Sequence, residues 1–281
     1  MRLIRLLALC TLPVASISAQ GICRPDEDDN EAKLLAYFTA PIAFSPGGNV
    51  TALGTGRFRL GFEATYVPEP SAEISRSERC YANKTEDTQL SPVFPRPRIA
   101  VGLGGGWALE ASYLPPVTVA DATPNLGSIA ISRLTNIGSA GLLLRAHATF
   151  GKVEGAITCP EDALQTSDVT RPCYGNQKSE DTYKPNMFGG EAAITFSNSA
   201  RFTGYAGAGY TSLRPRFQVG FQDARPGVRY DDTRIIVDLN RISLFGGGVW
   251  QVAPKIGLLA ELYSVPEDLT TFRVGANLGW R

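Results

Sequence analysis

Arginine and glutamate recur at alternate positions along this chain, always with apolar residues between them. The set is Arg59, Glu63, Arg98, Glu110, Ser112, Arg145, His147, Glu191, Thr195, Glu261, Arg273 and Asn277. Successive strand side chains point to opposite faces, so each member falls on one polar face of a strand whose other face is apolar. Charges of both signs on one face can form bidentate, charge-assisted Arg–Glu contacts. His147, in LLRAHATFG, is the single histidine. As a general base it needs a nucleophile within reach, and the sequence supplies none beside it; nor is there an Asp-x-His pair. The chemistry this set predicts is mutual neutralisation, with His147 a satisfied polar neighbour and no catalytic residue. Neither a cofactor nor a metal is expected.

The cysteines are the second reactive group. Cys10 lies in the leading apolar run, which leaves Cys23, Cys80, Cys159 and Cys173. An even number in an exported chain reads as disulfides, with three pairings open. Cys159 and Cys173 share one loop and are expected to pair; that leaves Cys23 and Cys80, and a bond between those two would require the N-terminal segment to thread the lumen to the outer face before returning to the first strand.

Export is read from MRLIRLLALCTLPVASISAQ. Arg2 and Arg5 precede an apolar run, and small residues follow at Ala15, Ser16, Ser18 and Ala19. This is the layout of a secretory signal peptide over residues 1–19, too short for a membrane anchor. No later apolar run approaches the length of a transmembrane helix. Twenty-seven acidic residues balance twenty-seven basic ones, so nothing points to nucleic acid. The acidic run Asp26–Asp29 reads as part of a solvated lead-in over 21–33. Residues 34–56 are apolar but broken by Pro41, Pro46 and glycines at 47, 48, 54 and 56. That pattern fits a short helix and loop packed on or inside something.

From Arg57 the alternation is sustained. RFRLGFEATYV sets Phe58, Leu60, Phe62, Ala64 and Tyr66 against Arg57, Arg59, Glu63 and Thr65. Similar segments at 96–104, 106–116, 128–135, 139–151, 186–197, 201–213, 240–252, 256–265 and 270–281 bring the predicted strands to ten. Most connections alternate between short ones and long polar ones at 68–95, 117–127, 152–185 and 214–239. Membrane barrels sort their loops this way, with short periplasmic turns and long extracellular loops. On that layout Trp107, Trp250 and Trp280 all sit at the periplasmic rim. Tyr66, Tyr113, Phe150, Phe188 and Tyr210 sit near the long-loop ends. Two such aromatic girdles mark the two interfaces of a bilayer.

With its leader, its alternating strands and a last strand TTFRVGANLGWR ending on an aromatic, the chain resembles a Gram-negative outer-membrane β-barrel protein. The resemblance implies an antiparallel up-and-down barrel (all-β, 57–281), an outer-membrane bilayer as its surroundings, and recognition of the last strand by the barrel assembly machinery. Members usually end on the aromatic itself, whereas here Arg281 follows Trp280. In layout alone, residues 20–56 resemble the lumenal hatch of the long-chain fatty-acid transporter family, as a lead-in and plug. Barrel proteases of the omptin type need acidic pairs and a rim histidine, which this chain lacks. Two functions stay open: passive or channel-type handling of small or apolar solutes, and a structural or surface-interaction barrel without transport. An outer-membrane enzyme using His147 is the third reading. Arg273 is the expected partner of Glu63 across the strands that close the barrel.

Overall fold

The computed structural model describes residues 21–75, 79–80, 93–118, 121–199, 201–227 and 230–280. The segment expected to be a signal peptide, most of the first long loop and Arg281 lie outside the described residues. In chain order the elements are β1 (Ile22–Cys23), α1 (Asn30–Thr39), a 3-10 turn (Ala40–Ile42), β2 (Phe58–Tyr66), β3 (Val93–Gly104), β4 (Trp107–Leu114), β5 (Ala122–Ile137) and β6 (Ala140–Gly155). A second 3-10 turn (Glu161–Ala163) precedes β7 (Asp181–Lys184), β8 (Met187–Ser199), β9 (Phe202–Leu213), β10 (Arg216–Gln218), β11 (Arg234–Ile236), β12 (Leu239–Ala253), β13 (Ile256–Val265) and β14 (Leu269–Trp280).

The long strands pair antiparallel in the cyclic order β2-β3-β4-β5-β6-β8-β9-β12-β13-β14, and β14 returns to β2 with Phe272 opposite Tyr66 and Trp280 opposite Phe58. This is a closed ten-stranded barrel. Closure leaves no sheet edge, the condition for strands to cross lipid. The ten residues of β13 match the 9–11 a tilted strand needs to span a bilayer. No helix among the described residues is long and apolar enough to do so.

Outward positions are apolar in every quarter of the wall. Leu60, Phe62, Ile99, Leu109, Ile129, Leu144, Ile194, Leu244, Leu262 and Val274 are each more than 40% exposed. A continuous belt of this kind in water would be an aggregation surface, and in lipid it is solvated.

Above the barrel, β5 and β6 run longer than predicted, to 16 residues each. The upper end of β6 leaves β8 and pairs instead with β7, from which β10, β11 and β1 follow in a small sheet. The change of partner occurs at Asn186, whose φ of +41° turns the chain out of β7 before β8 begins. The two ends of the expected loop 152–185, residues 152–155 and 181–184, are therefore ordered sheet, and 122–127 of the expected loop 117–127 is strand. The local alternation there is too short to stand out beside turn residues.

This cap is tied by Cys23–Cys80 and Cys159–Cys173, whose Cα atoms are 5.9 and 5.5 Å apart. Inside it, the buried Asp181 carboxylate accepts from the Ile157, Thr158 and Gly220 amides at 2.9, 2.6 and 2.9 Å, and from Ser179 Oγ at 2.8 Å. One side chain thereby satisfies three backbone amides from two strand-poor segments.

The lead-in 21–33 departs from its expected solvated form. Ile22 and Cys23 pair with β11, and α1 starts at Asn30 rather than in the apolar stretch after it. Asp29 precedes the helix in extended conformation, and its carbonyl accepts the first helical amides, from Ala32 and Lys33, each at 3.1 Å. Glu31, 2% exposed, accepts from the Arg79 and Cys80 amides at 2.6 and 2.9 Å. The charge run that reads as solvated is thus divided: Asp26 and Asp29 hold the Arg79 guanidinium at 2.9 and 2.8 Å, and Glu31 is buried. Pro41 then ends the regular helix, because it lacks the amide a further turn requires.

Candidate functional site

The inside of the barrel is filled by its own N-terminal segment. Leu34, Leu35, Tyr37, Phe38 and Ile42 are all less than 10% exposed, packed in one core with Leu114, Leu126 and Met187 of the wall and Tyr183 of β7 above it. A helix buried on all sides explains why 34–56 lacks an amphipathic period. Tyr37 donates to the Pro68 carbonyl at 2.5 Å, and Thr39 shares a hydrogen bond with Tyr183. From Ala43 the chain descends without helix to Arg57, where β2 begins. Non-helical backbone at membrane depth is tolerated when protein encloses it.

Around that descent lies a ring of charge. Glu63 (β2) meets Arg98 (β3) at 2.7 Å, Arg98 meets Glu110 (β4) at 3.0 Å, Glu110 meets Arg145 (β6) at 3.0 Å, and Arg145 meets Glu191 (β8) at 2.6 Å. Arg145 reaches past β5 because the inward residues there, Ser128, Ala130 and Ser132, are small and buried. On the adjacent strands β13 and β14, Glu261 and Arg273 face each other at 3.6 Å, and Tyr205 donates to Glu261 at 2.6 Å. The predicted Arg273–Glu63 contact is replaced. The register sets Glu63 opposite Gly275, and the carboxylate turns to Arg98 and, at 3.8 Å, Arg96.

The ring grips the plug by its backbone. Arg96 donates to the Ile42 and Ala43 carbonyls at 2.6 and 2.9 Å, Arg273 to Ala43 at 3.2 Å and Arg98 to Ser45 at 2.6 Å; Arg145 donates to Phe44. The Phe44 ring lies beneath three guanidiniums, those of Arg98, Arg145 and Arg96, at 4.4, 4.8 and 5.6 Å from its centroid. Ser45 Oγ donates to Glu261 at 2.5 Å, Asn49 to Glu110 at 2.8 Å, and Arg59 to Asn49 and Thr51 at 3.0 and 2.8 Å.

The set Arg59, Arg96, Arg98, Arg145 and Arg273 exceeds Glu63, Glu110, Glu191 and Glu261 by one charge. The carbonyl end of α1 and its 3-10 extension, the negative end of the helix dipole, points at that excess. Gly47, with φ +51°, turns the chain under the ring where an added Cβ would collide with the Arg98 guanidinium.

Of the predicted polar-face residues, Glu63, Arg98, Glu110, Arg145, Glu191, Glu261 and Arg273 lie in the ring and the grip. Arg59 binds the plug lower down. Ser112 and Thr195 are buried on the inner wall. Asn277 lines a cavity of about 200 Å³ at the short-turn end, with Arg59, Gln251 and Lys255. His147 is 4% exposed, its Nε2 3.8 Å from Glu191 Oε1, and neither ring nitrogen has a hydrogen-bond partner.

Sequence reasoning missed Arg96 although it shares the parity of Arg98. It also missed Tyr205, Phe44, Ser45 and Asn49. For the plug residues no signal was available, since what binds the ring is mainly carbonyl oxygen, which every residue carries.

On the outer wall Trp107 and Trp250 are 40% and 59% exposed near the short turns. Tyr66, Tyr113, Phe150, Phe188 and Tyr210 are 49–57% exposed near the opposite ends. Trp280 is the last residue of β14, at the same rim as Trp107 and Trp250.

No family model and no curated protein matches the chain. Among solved structures, the translocator domain of the autotransporter NalP from Neisseria meningitidis aligns at 9% identity over 83% of this chain and 91% of its own, with a TM-score of 0.35. Ail, the attachment invasion locus protein of Yersinia pestis, aligns at 9% identity over 80% and 99%, with a TM-score of 0.33. The N-terminal β-barrel domain of Pseudomonas aeruginosa OprF aligns at 8% identity over 81% and 100%, with a TM-score of 0.31. At these values the description of this chain rests on its own geometry: a closed, membrane-type ten-stranded barrel that encloses its N-terminal segment.

Proposed function

We propose that this chain is an outer-membrane barrel with a sealed lumen, whose disulfide-tied extracellular cap is its working surface. The observation that carries the reading is the plug. Its residues 42–51 are held by four arginines from three strands and by Glu261, Glu110 and Arg59 besides, and Cys23–Cys80 fastens the segment above. Segment 1–19 serves as the export signal, 20–56 as lead-in and plug, and 57–281 as the barrel. The last strand, ending Leu278-Gly279-Trp280, is the element offered to the assembly machinery. The role is non-enzymatic: among the described residues no hydroxyl or thiol is hydrogen-bonded to His147.

Transport of small or apolar solutes is the second reading, favoured by one feature. Two cavities of about 200 and 350 Å³ open at the periplasmic end, lined by Arg59, Asn277 and Lys255 and by Asn136, Thr195 and Thr203 respectively. They are the vestibule a path would have if the plug withdrew. Liposome swelling separates the readings. The sealed barrel predicts swelling in sugar solutions no faster than that of empty vesicles, and rapid swelling with the unmodified chain would favour transport.

A further inference from the structure

Outside the lumen, one sector of the wall departs from the pattern of the rest. On β6, β8 and β9 the outer aromatic girdle is formed by Phe150, Phe188 and Tyr210, about half exposed. Immediately beyond these rings come cations on every neighbouring strand: Lys152 on β6, Lys184 on β7, and Arg214 and Arg216 at the end of β9 and on β10. Val153 pairs with Tyr183, and Lys184 is directly opposite Arg216, so Lys152, Lys184 and Arg216 fall within one rung of each other. Arg214, whose amide donates to the Asn186 carbonyl at 3.0 Å, sits one rung lower. Tyr183 and Phe217 are buried, so their neighbours Lys184 and Arg216 point outward. The Arg214 guanidinium lies 5.2 Å from the centre of the lipid-facing Phe188 ring.

Like charges directly opposite in a sheet are destabilising, so an isolated chain gains nothing from this arrangement. Two carboxylates answer it in part: Glu154 at 2.6 Å from Lys152 and Asp238 at 2.6 Å from Arg216. Lys184 and Arg214 have no carboxylate partner among the described residues. At the same end of β13 and β14 the pattern differs among the described residues: Ser264 and Thr270 bond to each other at 2.8 Å, and Arg241 is answered by Glu267 and Asp268 at 3.2 and 3.1 Å.

Height identifies what answers the remaining charge. Lys152 is two residues past Phe150, roughly 7 Å along a strand. The polar headgroup layer beyond the hydrocarbon is of about that depth. We propose that this sector, on β6, β7, β9 and β10, seats a lipid of the outer leaflet that carries two phosphate groups, taken up between Lys184 and Arg214 with Lys152 and Arg216 at the flanks.

The test uses the full chain in phosphatidylcholine nanodiscs doped with diphosphoryl lipid A, with the same lipid A stripped of phosphate, or with phosphatidylglycerol. Lipid retained per barrel after re-purification is read by native mass spectrometry. The unmodified chain is expected to retain diphosphoryl lipid A selectively. The pair Lys184→Gln and Arg214→Gln is expected to lower affinity roughly thirtyfold, about fivefold for each cation at a membrane surface. Arg133→Gln is the control; its guanidinium lies 5.4 Å from Trp107 at the other rim, and it is expected to change nothing. Should the double variant fail to fold, salt titration of the unmodified chain serves instead, since 1 M salt reduces the screening length to about 3 Å and must release the lipid. Equal retention by the double variant, salt-independent retention, or equal retention of the dephosphorylated lipid would overturn the proposal. Equal retention of phosphatidylglycerol would overturn its requirement for two phosphates.

Discussion

Leu144 and Arg145 are consecutive residues of β6, one half exposed on the outer wall and one buried in the lumen. The two faces they represent are built on different rules. The outer face asks only for apolarity, and Leu, Ile, Val and Phe occupy it interchangeably, with aromatics where it ends. The inner face is specific: each of Arg96, Arg98, Arg145 and Arg273 finds a carbonyl of one four-residue stretch of the plug. A barrel wall thus solves its solvent problem by repetition and its interior problem by complementarity to a single segment.

Substitutions at the two faces differ accordingly. Arg145→Leu leaves Glu110 and Glu191 buried with a partner missing, and is expected to cost about 3–5 kcal/mol in urea unfolding followed in detergent. Breaking a buried pair exceeds what the pair itself contributes, because the stranded carboxylates remain out of water. Leu144→Arg puts a cation into lipid near the middle of the strand, for an expected cost of about 2–4 kcal/mol measured by unfolding from vesicles. In detergent that penalty is expected to shrink while the Arg145→Leu penalty persists. Equal losses at both sites in both media would erase the distinction between the faces.

The attachment of the plug at the cap is tested by Cys80→Ser. Opening a loop whose ends are 57 residues apart removes a constraint worth about 2–4 kcal/mol, model-dependent. Limited proteolysis is expected to cut within 24–33 in the variant while the barrel fragment stays intact. Unchanged resistance would show that Glu31, with its bonds to the Arg79 and Cys80 amides, holds the segment unaided.

The smallest effect concerns pH. Hydrogen bonding from Arg79, and then from the Asp26 amide, holds the Asp29 carboxyl below its ordinary value of 3.8. A depressed pKa in the fold contributes stability that is present above the unfolded value and is lost as pH falls through the folded one. Cleavage in 24–33 is therefore expected to be flat from pH 7 to 5 and to rise below about pH 3.8, an increase that Arg79→Ala removes. The pair is exposed and screened by salt, so the change is modest.

The outer face was legible in the sequence because one requirement repeats at a period of two, strand after strand. Trp107, Trp250 and Tyr210 could be assigned to rims before any coordinates. The polar face was legible as a set, and Arg96 could have joined it by parity. Its pairings were not, because they depend on register and on how far a guanidinium reaches, as Arg145 does over the small residues of β5. The plug was visible only as an anomaly, an apolar stretch too broken for a strand. Its helix begins earlier than hydrophobicity indicates because Asp29 and Glu31 are engaged by the loop at Arg79 and Cys80, which lies far away in sequence. Short strands such as β7, paired with the upper end of β6, and β10, paired with β7, exist through those pairings and carry little alternation of their own.

The central claim is that residues 42–51, gripped by the charged ring, close the barrel. Single-channel recording in planar bilayers tests it directly, on the unmodified chain and on a variant lacking residues 24–56. The account predicts silence from the first and stepwise conductance from the second. Steady conductance from the unmodified chain, equal to that of the variant, would contradict it.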